Sequence, residues 1–226
     1  MSVDWYNSIA LRNGGYRSNA IFTIEGVSPE QIFEEGLVSM LPKFESVLDA
    51  GCGHGDFTLK MSKYTKSLIG FDNSSEMIKL AQQLQLESDQ VNVVFIEAST
   101  KTDLPFTDGQ FDLIYDRRGP TSIINHSRIL RSGGTIFGIH SGALETVKER
   151  LHQNHFVSIE IREFNNSKYI FEDPKEFTTF LSGIPGNPDY SKPAYAEALD
   201  LKIKEQTIDG RIEVKEYKYI WKAIKP

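Results

Sequence analysis

From Ser46 onward the sequence predicts an α/β protein on a doubly wound, mostly parallel sheet. Three observations carry this reading. Apolar runs recur as VLDA, SLIGFD, VNVVFIE, FDLIYD and GTIFGIH, and such runs suit strands buried on both faces. Between them lie segments with apolar residues at helical spacing, as in Phe57, Met61 and Tyr64. The first strand leads through Gly51, Gly53 and Gly55 straight into a helix, and a glycine turn of this kind lets a ligand approach the backbone. Strict alternation of strand and helix then implies right-handed crossovers.

Taken in order, residues 1–27 form an N-terminal arm with a short helix over 3–12. Ser28-Pro29-Glu30-Gln31 is a helix start, with Ser as N-cap and Gln at the capping-box position. That helix runs to Met40, and Pro42 ends it. Strands are predicted at 46–50, 67–72, 91–97, 111–116 and 134–140, with helices at 55–64, 74–86, 121–130 and 143–154. Asn73 is expected to cap the helix that begins at Ser74, with Glu76 completing a capping box. A strand at 156–163 follows, then helices from Asp173 and over 193–205, separated by a breaker cluster at 182–189. The chain closes with an alternating strand at 212–221. The run of alternating lysines from Lys215 to Lys225 reads as a half-exposed edge strand protected by charge. The expected division is one domain over 1–226: an arm and helix over 1–42, a binding core over 43–164, a lid over 165–207 and a closing strand over 208–226.

Composition narrows the function. The net charge is −6, with 39% hydrophobic and 25% charged residues, which suits a soluble globular chain. No block of Lys and Arg appears, whereas a nucleic-acid binder usually shows a basic footprint. A small-molecule substrate is favoured and nucleic acid disfavoured. There is no apolar run of about 18 residues to span a membrane, and the N-terminus lacks a secretory pattern. The single cysteine, Cys52, excludes an internal disulfide and fits the cytoplasm.

The chemistry gathers at strand ends, where open α/β sheets bind ligands. Asp49 precedes the glycine turn. Asp72 ends the second strand, 21 residues after Gly51, where a carboxylate can accept both hydroxyls of a ribose. Glu97-Ala98-Ser99 ends the third strand, and Asp116-Arg117-Arg118 ends the fourth. A nicotinamide dinucleotide loop would carry glycine at 56. This chain has Asp56 there, and that acid suits no pyrophosphate.

The pieces VLDAGCGHGDFT, LIGFDNSSEMIKLAQ, FIEASTKTDLPFTDGQFDLIYDRRG and RILRSGGTIF resemble the class I S-adenosylmethionine-dependent methyltransferases. The likeness is to the broad group that includes the ubiquinone and menaquinone biosynthesis methyltransferases, and it covers about residues 46–140. It implies a Rossmann-like, seven-stranded sheet whose last strand is antiparallel, and S-adenosyl-L-methionine as cofactor. It implies that Asp49, Gly51 and Gly53 shape the pocket for the methionine part and that Asp72 holds the ribose. Asn73 and Met77 would flank the adenine, Ala98 and Ser99 would touch its edge, and Asp116 and Arg117 would sit beside the sulfonium.

Arg117-Arg118-Gly119-Pro120 departs from that family, which usually has apolar or small polar residues after this strand. Two readings stand level: an arginine recognising an anionic substrate group, and a salt bridge to Asp116 or the lid. Arg117, Arg118 and His140 are the catalytic candidates. His140 is read first as a hydrogen-bonded residue at the pocket rim and second as a base. Cys52 and His54 are read as turn residues, His54 partly exposed. His152 and His155 are helix-end residues, and no metal site is expected. Tyr6 and Tyr16 are candidates to cover the cofactor. Tyr169, Phe177, Phe180 and Tyr190 are candidates for a substrate wall, with plain core packing as the competing reading. The functional expectation is methyl transfer to a small molecule with an anionic or polar group. The alternatives are an RNA methyltransferase and a non-catalytic S-adenosylmethionine-binding protein. The sequence does not decide the oligomeric state.

Overall fold

The computed structural model describes residues 3–15, 19–184 and 186–226. Its centre is a sheet of five parallel strands, in the order β4 (Val93–Glu97), β3 (Ser67–Asp72), β2 (Ser46–Ala50), β5 (Phe111–Arg117) and β6 (Leu130–His140). The order reverses at β2, so the carboxyl ends of β2 and its neighbours form a crevice. Beyond β6 lies β9 (Arg211–Ile224), antiparallel to both β6 and β7 (Val157–Phe171).

Side chains sort by the two-residue period of a strand. Leu48, Ile114, Ile136 and Trp221 face one side, against Val147 and Leu151 of α5 (Leu144–Gln153). Val47, Leu113, Tyr115 and Phe137 face the other, against Phe33 and Leu37 of α2 (Pro29–Met40) and Met61 of α3 (Asp56–Ser62). Ile78 and Ala81 of α4 (Ser75–Leu86) join that second layer. Phe33 stacks on Phe137 with ring centres 4.6 Å apart. No helix among the described residues is long and apolar enough to cross a membrane.

Most predicted elements stand within a residue or two of their expected bounds, including α2, whose N-cap Ser28 accepts from Gln31 N. Several expectations need correcting. Among the described residues the sheet has nine strands where seven were expected: β1 (Thr23–Glu25) pairs with β7, and β8 (Thr207–Ile208) pairs with β9. The closing strand β9 is interior, not an edge. Buried Lys218 meets Glu30 and Glu216, and the more exposed Lys222 meets Glu160 of β7. The strand expected to stop at 163 continues as β7 to Phe171, so the segment proposed as a lid begins later, with α6 (Pro174–Gly183) and α7 (Ala196–Gln206). Residues 121–129 form kinked 3-10 turns, not an α-helix. The cap of α4 is Ser74, which accepts from Met77 N, and not Asn73. Helix α3 ends at Ser62, so Tyr64 lies beyond it and is exposed.

The α3 start shows why the third glycine stands at 55. Gly55 has φ +81°, and a Cβ there would lie 2.7 Å from both Ala81 Cβ and the Phe95 ring. Gly55→Ala therefore combines a left-handed backbone with overpacking, and should cost about 2–4 kcal/mol in urea-induced unfolding. A loss below ~0.5 kcal/mol would mean that the turn relaxes freely.

Candidate active site

The crevice at the strand ends holds a cleft, and Asp72 organises its floor. Asp72 Oδ2 accepts from Gly53 N at 3.0 Å, and Oδ1 accepts from Ser74 N at 2.9 Å. One carboxylate thus ties the glycine turn after β2 to the start of α4. Burial raises the pKa of Asp72, and backbone donors at Ser74, Gly53 and Asn73 only partly offset it. A carboxylate offers about four acceptor positions, so capacity remains for a hydroxyl donor. Gly51 N and Cys52 N both donate to Phe71 O at 2.9 Å, and Ala98 N donates to Asp72 O at 3.0 Å.

Gly51, Gly53, Asp72, Asn73 and Met77 line one side of the cleft. Ala98, Ser99, Arg117 and Arg118 line the rest, with Phe71, Thr100, Gly119, Pro120 and Tyr6. Tyr6 comes from α1 (Val3–Asn13), which Ile9 and Ala10 anchor against Met77. Ser74 Oγ donates to Asn7 Oδ1 and adds a polar anchor. Tyr16 lies outside the described residues. The glycine turn fits closely against the turn after β5: a Cβ on Gly51 would lie 2.7 Å from Pro120 Cδ, and one on Gly119 would lie 2.0 Å from Ala50 O.

Asp49, Asp116 and His140 do not line the cleft; they lie buried beneath it. Asp49 Oδ2 accepts from Thr58 Oγ1 at 2.7 Å and from Tyr115 Oη at 2.9 Å. Burial pushes its pKa up to about 7 despite those donors, and the charge of Asp116 adds to the rise. Asp116 Oδ1 accepts from Gly119 N at 2.6 Å. His140 Nε2 is 3.2 Å from Gly119 O, and its Nδ1 accepts from Trp221 Nε1 at 3.1 Å. Both ring nitrogens are therefore engaged.

The two arginines meet an acid that neither sequence reading named. Arg117 Nε donates to Glu30 Oε2 at 2.9 Å, and Arg118 Nε lies 3.5 Å from Glu30 Oε1. Lys218 Nζ binds Glu30 Oε1 at 2.8 Å and Glu216 Oε1 at 2.7 Å. Arg117 also lies over the Phe57 ring, 4.4 Å from its centre. Tyr169 donates to Glu216, as does Ser167. Both arginines pair with Glu30, and neither pairs with Asp116 or the 174–206 segment in the contacts described. Nothing in the sequence signals Glu30, which is 87 residues from Arg117. Thr100, by contrast, directly follows Ser99 and was within reach of the motif.

The aromatic candidates divide. Phe177 and Tyr190 are buried in a satellite core with Phe171, and Tyr169 and Phe180 pack against it. Cys52 is buried and its thiol pKa is raised well above the ordinary value, which fits an inert turn residue. His54 is buried, not partly exposed: a Cβ on Gly15 of the arm would lie 2.5 Å from its ring, and Asp56 is 3.2 Å away.

Residues 47–134 match the family model described as "Methyltransferase domain". That stretch is thus similar to a methyltransferase domain. The chain is 38% identical over 71 residues to a demethylmenaquinone methyltransferase of Lactiplantibacillus plantarum, covering 30% of each chain. It is 26% identical over 162 residues to a ubiquinone/menaquinone biosynthesis C-methyltransferase of Geotalea daltonii, covering 61% of this chain and 68% of that one. The similarity to the first of these spans about a third of the relative's length. A functionally unknown protein from Deinococcus radiodurans R1 shares the fold with a TM-score of 0.72 at 22% identity, covering 99% of this chain and 100% of that one.

Glu30 invites a direct test. Burial alone would raise its pKa, but Arg118, Lys218 and Arg117 outweigh it and hold it at about 2, from an ordinary 4.5. A depressed carboxyl adds stability above its unfolded pKa and loses it as pH falls through the folded one. Wild type should exceed Glu30→Gln by about 2–3 kcal/mol at pH 7. Denaturant melts should show that gap shrinking between pH 5 and pH 2. A gap independent of pH would mean that the cluster does not set the stability of Glu30.

Proposed function

We propose that this chain binds S-adenosylmethionine in the cleft and transfers its methyl group to a small acceptor with an anionic or polar group. The observation that carries the first half is Asp72. It is a largely buried carboxylate, it lines the cleft, its pKa is raised by burial, and among the described residues its pKa is lowered only by backbone donors. Neutral hydroxyl donors suit it, and a phosphate does not. Asp49, raised to about 7 beneath the same turn, likewise favours a ligand with positive charge. S-adenosylmethionine has a diol, a cationic sulfonium, an ammonium group and no phosphate, so the residues fit it.

In this reading Asp72 holds the ribose hydroxyls. Asn73 and Met77 flank the adenine, while Ala98 and Ser99 meet its edge. Gly51 and Gly53 keep the backbone open for the methionine part, with Asp49 below. When bound, the cofactor supplies an activated methyl group, so the hard chemistry is its own. The protein aligns acceptor and donor and excludes water. Arg117 and Arg118 border the cleft from the Glu30 cluster, and a guanidinium pair suits a carboxylate or similar group on the acceptor. Segment 174–206 would act as the substrate lid of a single domain, and Tyr6 would close the cofactor side. The net charge of −6 weighs against RNA as acceptor.

Two measurements test this. Asp72→Ala should weaken S-adenosylmethionine binding at least ~10-fold by calorimetry, because charge-assisted bonds to the ribose are lost; unchanged affinity in a folded variant removes the pocket assignment. Incubation with methyl-labelled cofactor and a metabolite extract should label an anionic or polar small molecule. Arg118→Ala should then raise KM for that acceptor about 10-fold while the cofactor Kd holds. Label in RNA would overturn the acceptor class, and binding without any transfer would indicate a non-catalytic protein.

A further inference from the structure

His140 sits at the end of β6, where a general base could stand, yet its contacts give it another task. The indole of Trp221 can only donate a hydrogen bond, and it donates to His140 Nδ1 at 3.1 Å. Nδ1 is therefore unprotonated, and the neutral ring carries its proton on Nε2. That Nε2–H faces two acceptors, Gly119 O at 3.2 Å and Asp116 Oδ2 at 3.2 Å. Asp116 Oδ2 is buried and has no well-aligned hydrogen bond of its own, so the Nε2 proton is the positive pole it faces. On its other side, Asp116 Oδ1 takes Gly119 N at 2.6 Å. Gly119 is thus gripped at both its N–H and its C=O by a strand-end pair.

What is gripped matters to the cleft. Gly119 lies against Ala50 O, and with Pro120 it meets Gly51 so closely that neither glycine has room for a side chain. Arg118, one residue earlier, holds a left-handed φ of 63°. For a non-glycine residue that conformation costs about 1–2 kcal/mol, so its surroundings must impose it. Arg118 N donates to Ile139 O at 3.0 Å, which ties the same turn to the residue before His140.

We propose that His140 is a positioning residue, held in its Nε2–H tautomer by Trp221, which with Asp116 clamps Gly119 and so sets the wall opposite the glycine turn. This rests on the reading of the cleft as an S-adenosylmethionine site. It also removes His140 from the bases available to an acceptor, because the nitrogen that would accept a proton already accepts one bond.

The first test needs no substrate. Imidazole nitrogen NMR of the selectively labelled wild-type protein at neutral pH should show His140 with Nε2 protonated and Nδ1 bare. An Nδ1–H tautomer, or a mixture of the two, overturns the proposal. The second test compares His140→Gln with His140→Leu, which have similar volume. The Gln amide can still donate to Gly119 O, whereas Leu cannot. Leu should weaken S-adenosylmethionine binding about 10-fold or more by calorimetry, with Gln recovering most of it. Equal binding by wild type, Gln and Leu overturns the clamp. Absence of binding by wild type itself would instead remove the cofactor reading. Should the Leu variant not fold, the tautomer of the wild type still decides.

Discussion

Two backbone turns meet at the carboxyl edge of the sheet, and the cleft depends on how closely they approach. One follows β2 and is glycine at 51 and 53. The other follows β5 and is glycine at 119. A methyl group at Gly51 or Gly119 would fall within 3 Å of the facing turn, so no other residue type permits the approach without movement. Each turn is held by a carboxylate that accepts backbone N–H bonds: Asp72 for Gly53 and Asp116 for Gly119. The shape of the cleft therefore rests on two buried acids, and its electrostatic character follows from the same pair.

Charge is sorted across the sheet. On the face carrying α5, Asp116 is met by His140, which Trp221 holds from behind. On the face carrying α2, Arg117, Arg118 and Lys218 converge on Glu30, with Glu216 behind. Part-buried ion clusters of this kind are weak evidence for stability, but breaking one member is costly. Here the cluster joins α2, the β5 turn and the closing strand at the cleft wall. A ligand that engages either arginine thereby meets a preset array and not loose side chains.

The fold was legible because strands buried on both faces write themselves as apolar runs and because caps and glycines punctuate the helices. The position of β9 was not. A strand alternating lysine with apolar residues looks the same at an edge as it does inside a sheet where each inward lysine finds an acid. Lys218 finds Glu30 of α2 and Glu216 of its own strand, and Lys222 finds Glu160 of β7. The 15-residue β7 was cut short for a related reason: polar Asn165 and Asn166 read as a loop, while strand pairing with β9 carries them through a bulge.

The sequence by itself determined the β2–α3 turn, the acid at 72 and the strand-end residues at 98, 99 and 117, because each depends on a local spacing along one crossover unit. It also determined that Arg117 and Arg118 were out of pattern. Only the tertiary structure decided what those arginines touch, that Asp49 and Asp116 lie under the cleft and not in it, and that His140 is engaged at both nitrogens. Those outcomes depend on contacts between residues dozens to more than a hundred positions apart, such as Glu30 with Lys218 and His140 with Trp221. No periodicity records such pairs, since sheet order and side-chain direction bring them together only after the chain has folded.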